Sequence, residues 1–365
     1  MKQFILPLAL IIAGYTTTSA QYKITSKHDV ECTEVKNQER TGTCWSFATS
    51  SFLESEVKRT KKMDIDLSEM FSVRATYMNK AQNYILRQGK ANYSEGSLSH
   101  DVINAVEYAG IVPETVFSGK SEGIDVHNHS EMLSATKGML DGLQKRKTLS
   151  PRWKAAMGAI LDIYMGDAPE KFKYEGKEYT PKSFADFLGI KGSDYISLTS
   201  YTHHPFYHSF VLEIPDNYSN GSYQNVPVAE LEKVVDNAIK NGFSVAWDGD
   251  VSEATFNHKE GLAILPEDAK RENLWSKPGT ELSVTQELRQ STFESKSTTD
   301  DHLMHLVGIA YDNKGTKYYK IKNSWGTSNT FEGYLYMSQA YFQLKTVGIL
   351  LHKQAVPKEI SKKFK

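Results

Sequence analysis

Residues 37–48 of the chain read NQERTGTCWSFA, and this stretch places a cysteine, Cys44, at the start of a helix. Apolar residues recur at helical spacing from Cys44 to about residue 61. The first turn of a helix presents unpaired N–H groups and the positive end of the helix dipole, which favour a thiolate. Gly42 permits a tight turn and a close approach of a substrate backbone. Cys44 is therefore predicted to be a nucleophile, with the Gln38 side chain and the Cys44 backbone N–H as donors to an oxyanion.

A cysteine nucleophile needs a histidine that exchanges protons with it. The chain has 11 histidines, and His305 stands out because it lies in a strand-like run at residues 302–310. A second run ends in the sequence NSWG at residues 323–326. The turn-forming residues 312–316 lie between the two runs, so the sequence predicts a β-hairpin.

A hairpin centred on Lys314 pairs His305 with Asn323. Directly opposed side chains lie about 5 Å apart at Cβ, so Asn323 is expected to orient the His305 ring by a hydrogen bond. Trp325 is then placed to shield that bond from water. His302 is the competing candidate, and in this register it points to the opposite face. The assignment depends on the register, because a shift of one residue exchanges the two faces.

The rest of the chain is helix-rich at the front and β-prone at the back. Helices are predicted at about residues 44–61, 98–108, 130–164 with a break near Pro151, 178–189 and 226–241. Strands are predicted at residues 244–247, 302–311, 317–323 and 333–337. This order predicts an α+β protein with two packed lobes and a substrate cleft between them.

The cysteine and asparagine segments resemble the active-site motifs of papain-like cysteine peptidases. Gly42, Cys44 and Trp45 match the family's cysteine signature, and residues 323–326 match the segment that carries its orienting asparagine and covering tryptophan. Thr41 stands where the signature has a disulfide-forming cysteine. The resemblance implies a papain-like two-lobed fold, with a helical left lobe, a helical insertion, an antiparallel β-barrel-like right lobe and the active-site cleft between the lobes.

The interval between Cys44 and His305 is roughly a hundred residues longer than the 130–150 typical of papain and cathepsins. The added region, together with residues 163–172, 178–181 and 245–251, resembles bleomycin hydrolases and bacterial aminopeptidase C. The expected organisation is a signal peptide at 1–20 and one peptidase domain at 21–365. Within that domain we expect a helical lobe at about 30–129, a helix-rich insertion at 130–241, a β lobe at 242–356 and a tail at 357–365.

Members of that branch are mostly aminopeptidases, often hexameric, whose own C-terminal carboxylate lies in the cleft and pairs with the substrate amine. The resemblance places Gly96 and Ser97 at the glycine pair that lines the non-primed subsites, and with Trp325 they are the expected substrate-binding residues. Self-association is left open. The basic residues of the 361–365 segment weaken attraction for another ammonium.

Four functions are therefore compared. The resemblance favours an aminopeptidase acting on peptides or proteins, and the basic tail favours an exported endopeptidase or oligopeptidase. An inactive peptide-binding relative is disfavoured by the intact set of Gln38, Cys44, His305 and Asn323. A transglutaminase-like acyl transferase is disfavoured because such enzymes normally use an aspartate where this chain has Asn323.

The composition excludes several partners. A formal net charge of -1 gives no overall field for binding nucleic acid, and no cofactor is expected. The paired histidines at 127 and 129, and the group at 203, 204 and 208, lack nearby carboxylates or cysteines at metal-binding spacing, so no metal site is predicted.

The first twenty residues resemble a secretory signal. Lys2 precedes an apolar run at residues 4–13, and small side chains at 18–20 predict cleavage before Gln21. The run is too short to cross a bilayer, which takes roughly 20 residues, and no other stretch approaches a span. We therefore expect export, to the periplasm or outside the cell. The chain's two cysteines, Cys32 and Cys44, are expected to remain unpaired.

Overall fold

The computed structural model describes residues 22–365. The predicted signal peptide at 1–20 lies outside the described residues. The helices are α1 (Cys44–Lys61), α2 (Glu69–Leu86), α3 (Ser99–Ala109), α4 (Ser130–Gln144), α5 (Arg152–Met165), α6 (Pro181–Leu188), α7 (Val228–Lys240), α8 (Gln286–Glu294), α9 (Gln339–Lys345) and α10 (Lys358–Ser361). Within the described part of the chain, none of them is both long and apolar enough to span a membrane.

The strands lie mainly in the second half of the chain. They are β1 (Thr25–Asp29), β2 (Phe172–Tyr174), β3 (Lys177–Tyr179), β4 (Tyr195–Thr199), β5 (Ser209–Val211), β6 (Ser222–Asn225), β7 (Val245–Gly249), β8 (Phe256–Asn257), β9 (Leu262–Ala263), β10 (His302–Tyr311), β11 (Lys317–Lys322), β12 (Tyr334–Ser338) and β13 (Thr346–His352). The α+β class predicted from the sequence is confirmed.

One mixed sheet organises the β lobe. Its strands follow the order β5-β6-β4-β13-β7-β10-β11-β12-β9-β8, an open path within residues 22–365. Strands β7 and β1 share one side of β10, because β7 pairs with its first half and β1 with its second half. Strand β10 is therefore hydrogen-bonded along both sides, and it lies in the middle of the lobe.

The predicted insertion at 130–241 divides between the two lobes. Helices α4, α5 and α6 bury apolar side chains, including Leu140, Leu161 and Phe184, in the core that also contains the α1 side chains. Helix α7 buries Leu231 and Val234 against the sheet, and β4, β5 and β6 extend that sheet. The insertion is therefore not wholly helical, and its second half belongs to the β lobe by packing.

The sequence located α1 and β10 at their observed limits but missed several elements, among them α2 and β13. Helix α2 was assigned no structure, although ten of its residues are buried. Strand β13 was missed because all seven of its residues are buried. A strand buried on both faces has no polar–apolar alternation, and a short apolar run is then ambiguous.

A β-bulge in β10 overturns the predicted hairpin register. The pairing of β10 with β11 follows the prediction over Gly308–Tyr311 and shifts by one residue before it. Val307 is the extra residue of the bulge. As a result, His305 lies opposite Lys322 rather than Asn323.

The bulge also exchanges the two faces of β10. Met304 and Leu306 point into the core of the β lobe, and so does Ile309 beyond the bulge. Leu303 points the other way and packs with the α1 side chains. The change from even to odd numbers along one face is the expected consequence of a single inserted residue.

Replacement of Gly308 tests whether the bulge needs this glycine. A Cβ atom at Gly308 would lie 2.8 Å from both Asp29 Oδ1 and the carbonyl oxygen of His28. We expect Gly308→Val to lower the free energy of unfolding by about 1–3 kcal/mol because it overpacks this contact. Urea unfolding followed by circular dichroism measures the change.

A matched control is Gly138→Ala on the exposed side of α4. A Cβ there would have no neighbour within 4 Å, so alanine is expected to raise the free energy of unfolding by about 0.5–1 kcal/mol. An unfolding midpoint for Gly308→Val at or above that of the unchanged protein would contradict the crowding at the bulge.

Candidate active site

Cys44 lies where the two lobes meet. It is the first residue of α1, and 8% of its surface is exposed. The backbone N–H of Leu303 in β10 lies near its sulfur and favours the thiolate form. The nucleophile predicted from the helical lobe is therefore held against a strand of the β lobe.

The helix N-terminus does not by itself make Cys44 a thiolate. Burial, together with the carboxylates of Asp300, Asp248 and Asp216, raises the pKa of the Cys44 thiol to about 12. The Leu303 N–H acts in the opposite direction. Burial thus opposes the thiolate that the helix start is expected to favour, and Cys44 needs a neighbouring proton acceptor.

His302, not His305, is the histidine that contacts Asn323. The Nε2 atom of His302 lies 2.8 Å from Asn323 Oδ1. The Trp325 ring lies with its centroid 4.6 Å from the His302 ring. Asn323 and Trp325 were thus correctly grouped, but with the wrong histidine. Because Leu303 contacts Cys44 and follows His302 directly, His302 is the histidine at the cysteine end of β10.

The His302 ring is neutral in this environment. Burial lowers the pKa of His302 to about 4, although the hydrogen bond that its Nε2–H donates to Asn323 favours the charged ring. With Nε2 engaged by Asn323, the Nδ1 atom is left for proton exchange. A neutral imidazole is the form that can accept a proton.

His305 is an internal side chain, so its predicted pairing with Asn323 is wrong. It has no exposed surface, and its Nδ1 atom lies 2.9 Å from the hydroxyl of Ser51 on α1. Lys322 donates to the same hydroxyl over 2.8 Å. Burial and the Lys322 charge lower the pKa of His305 well below its usual value. The bulge directs this ring beneath α1 instead of towards the cleft.

His258 lies in no motif that would single it out, yet this residue supports Asn323. The Asn323 Nδ2 amide donates to His258 Nδ1 over 3.2 Å, and the His258 ring lies 5.0 Å from that of Trp325. His258 follows the two-residue strand β8, in a region without any recognisable motif. Only the pairing of β8 and β9 with the edge of β12 brings it to the site.

Gln38 is held in place by its contacts on both sides of the amide. Its Nε2 group donates to the Thr41 carbonyl over 2.7 Å, and its Oε1 atom accepts from the Ser324 hydroxyl over 2.7 Å. One N–H of the amide remains after these contacts. Ser324 adjoins Asn323 in the chain, so Gln38 and the His302–Asn323 pair are fixed by one segment.

The three expected substrate-binding residues, Gly96, Ser97 and Trp325, have different surroundings. A Cβ atom at Gly96 would lie 1.8 Å from Asp216 Oδ2, so this position requires glycine. The Ser97 side chain is buried and donates to Asp101 Oδ2 over 2.6 Å, at the start of α3. Its side chain is therefore unavailable to a substrate, and a substrate-binding role of Ser97 stays a prediction. Trp325 remains half-buried beside His302.

Both cysteines of the chain are free, as predicted. The Cys32 sulfur lies 3.3 Å from the Tyr334 hydroxyl and is not bonded to Cys44. Cys32 therefore has a structural environment of its own.

The fold supplies a carboxylate to one histidine pair. His203 and His204 lie 3.2 and 2.6 Å from the two carboxylate oxygens of Glu213, and one ligand atom from each of the three residues lies within 4.8 Å of the others. The argument that these histidines have no carboxylate companion is thus wrong. The absence of a metal site stays a prediction.

A family model described as "Peptidase C1-like family" matches residues 90–365. The chain belongs to this family. A second model, "Papain family cysteine protease", matches residues 19–137, which contain Cys44. The protein is a papain-like cysteine peptidase, as the motifs predicted.

Curated relatives of this peptidase match over most of their length. Aminopeptidase C of Listeria monocytogenes is 26% identical over 92% of this chain and 84% of its own. Aminopeptidase G of Lactobacillus delbrueckii subsp. lactis is 24% identical over 89% of this chain and 82% of its own. The crystal structure of PepW from Lactobacillus rhamnosis has a TM-score of 0.72 at 19% identity, covering 93% of this chain and 84% of that one. The expected fold and branch are confirmed.

Alkylation of Cys44 distinguishes the two histidines. In a Cys32→Ala background, iodoacetamide reports on Cys44 alone. We expect His302→Ala to slow this alkylation by about tenfold or more, because the thiol loses its neighbouring proton acceptor. The matched variant His305→Gln should leave the rate near that of the background protein. The opposite ranking of the two variants would restore His305 to the site.

Proposed function

We propose that this peptidase is an aminopeptidase in which Cys44 is the nucleophile and His302 the acid–base partner. The observation that carries the proposal is the 2.8 Å contact of His302 with Asn323. His302 lies on β10 directly before Leu303, whose N–H lies near the Cys44 sulfur. His302 replaces His305, which the sequence had favoured, and Asn323 keeps its predicted orienting role.

The chemistry proceeds by acyl transfer. His302 Nδ1 takes the Cys44 proton as the sulfur forms a bond to the carbonyl carbon, and the carbonyl oxygen becomes negative. When the C–N bond breaks, His302 gives this proton to the leaving amine and a thioester remains. Water then attacks the thioester, His302 takes a proton from it, and the acid leaves as that proton returns to the sulfur.

Gln38 and the Cys44 backbone N–H serve the negative oxygen in this scheme. The remaining N–H of the Gln38 amide and the backbone N–H at the start of α1 act as two fixed donors. Asn323 holds the His302 ring, and Trp325 excludes water from their hydrogen bond. Because the donors are fixed before the reaction, little reorganisation is needed when charge develops.

The choice of aminopeptidase rests on the named relatives, which are aminopeptidases at 26% and 24% identity. The competing endopeptidase or oligopeptidase function is favoured by the contacts of residues 361–365. The Lys365 N–H donates to the Tyr207 carbonyl over 2.9 Å, and Lys363 pairs with Glu230 over 2.6 Å. These contacts attach the segment to the β lobe rather than to Cys44.

Export directed by residues 1–20 belongs to the same proposal. It is supported by the charged start, the apolar run and the small residues before Gln21.

Peptides with free and acetylated N-termini test the proposed activity. The expected result is stepwise release of N-terminal residues from free peptides and no cleavage of acetylated ones, measured by mass spectrometry. Cys44→Ala should abolish the release. Internal cleavage of the acetylated peptides by the unchanged enzyme would favour the endopeptidase instead.

Gln38→Ala tests the oxyanion role. Loss of one donor should lower kcat by about 10²–10³ with little change in KM, since the interaction forms only when the oxygen is charged. Ser324→Ala is the matched comparison, because it removes only the hydrogen bond that orients Gln38 and should lower kcat less. A raised KM at constant kcat for Gln38→Ala would contradict the role.

A further inference from the structure

A cavity of about 570 Å³ opens where the insertion meets the β lobe. Its lining includes the acidic residues Glu213, Asp216, Glu294 and Asp300. Asp216 lies against Gly96, where a Cβ would be 1.8 Å from its Oδ2 atom. Asp216 therefore lies against the Gly96 turn of the helical lobe.

Asp248 on strand β7 adds a further carboxylate near Asp216 and Asp300. Its neighbours show its direction, because Ala246 packs with the α1 side chains whereas Trp247 packs in the β-lobe core. Asp248 alternates with Trp247 and so faces α1. It pairs in register with Leu303, whose N–H contacts the Cys44 sulfur. Asp248 thus lies beside the nucleophile.

Two carboxylates of this group have oxygens without partners, whereas Asp216 accepts from Asn92 and Ser94. Asp248 is only 4% exposed, and both of its carboxylate oxygens are buried without a hydrogen-bond partner among the described residues. The same holds for Asp300 Oδ2. Buried carboxylates are normally paired, because an unpaired buried charge is costly. This pattern calls for a cation or a shared proton.

Without a cation, these carboxylates bind protons more tightly than exposed ones do, and they are ionised only at a higher pH. Burial, followed by the charge of Asp216, raises the pKa of Asp300 to about 7, and burial next to Asp300 raises that of Asp248 well above its usual value. Burial and Asp101 raise the pKa of Asp216, whereas Lys80 lowers it. Lys80 donates to the Gly96 carbonyl. Lys296, at the cavity lining, has no ion pair within 4.0 Å in residues 22–365.

We propose that Asp216, Asp248 and Asp300 form a site that binds an ammonium group of the peptide substrate beside Cys44. The proposal rests on the proposed function, in which the ammonium is the substrate's free N-terminus. The side chain of a substrate lysine offers the same chemistry, and the experiment below separates the two sources. In either case, the site adds a charge-based subsite to the peptidase cleft.

Such a site links recognition to activation of the nucleophile. The three carboxylates each raise the pKa of Cys44. An ammonium bound among them offsets their negative charge, and formation of the Cys44 thiolate becomes easier. A substrate that carries the cation therefore both occupies the site and favours its own cleavage.

Isosteric variants and three substrates test the site. The substrates are a leucine coumarin amide with a free amine, its N-acetyl form, and N-acetyl-Lys-Leu coumarin amide. For Asp300→Asn and Asp216→Asn we expect KM for the free-amine substrate to rise about 10–100-fold, the range for loss of a hydrogen bond to a charged group. N-acetyl-leucine coumarin amide, which the proposed aminopeptidase does not cleave, should remain uncleaved by both variants. Glu294→Gln changes the charge of the same cavity wall and should leave KM unchanged.

The outcomes separate this inference from the proposed function. A selective loss with N-acetyl-Lys-Leu coumarin amide would support the ammonium site but contradict the aminopeptidase function. Free-amine cleavage with no selective loss in either Asp variant would overturn the site while leaving the aminopeptidase standing.

Alkylation of Cys44 gives a second measurement that does not depend on turnover. Asp300→Asn in the Cys32→Ala background should speed iodoacetamide alkylation of Cys44 without substrate, because it removes a negative charge near the thiol. A variant that had merely lost its structure would also change its circular dichroism spectrum. An unchanged or slower alkylation rate in a folded Asp300→Asn protein would overturn the inference.

Discussion

The contact between the start of α1 and strand β10 is the constraint on which the site depends. The Leu303 N–H reaches the Cys44 sulfur across the junction of the lobes, and the residues Cys44 to Val57 of α1 are all buried. A helix enclosed in this way cannot shift or rotate without opening two cores. The relative position of nucleophile and histidine is therefore set by packing, with no disulfide to hold it.

The same enclosure makes the electrostatics of the cleft unusual. Burial and nearby carboxylates oppose ionisation of Cys44, and burial keeps the His302 ring neutral. The resting site therefore holds a thiol and an imidazole rather than a preformed ion pair. In the proposed function, the ammonium group of the substrate offsets the charge of Asp216, Asp248 and Asp300. Ionisation of the Cys44 thiol then becomes easier, so substrate binding and catalysis are linked.

The long insertion has a structural role at the site as well as in the lobes. Its first helices extend the helical core, and its later strands extend the sheet. Asp216 lies in the loop after β5, where it contacts the Gly96 turn. The insertion thus reaches the cleft at one wall and supplies a charge there.

The sequence by itself determined the α+β class, the helix that begins at Cys44, the strand that contains both candidate histidines, and the grouping of Asn323 with Trp325. These follow from local rules, because periodicity, turn residues and a short motif act over a few neighbouring positions. The choice between His302 and His305 was decided only by the tertiary structure. One extra residue in β10 reverses every side chain before it, and that residue shows only in the pairing of β10 with β11. His258 and the carboxylate group came together in the same way, from segments distant in sequence that only the folded sheet brings to one cleft.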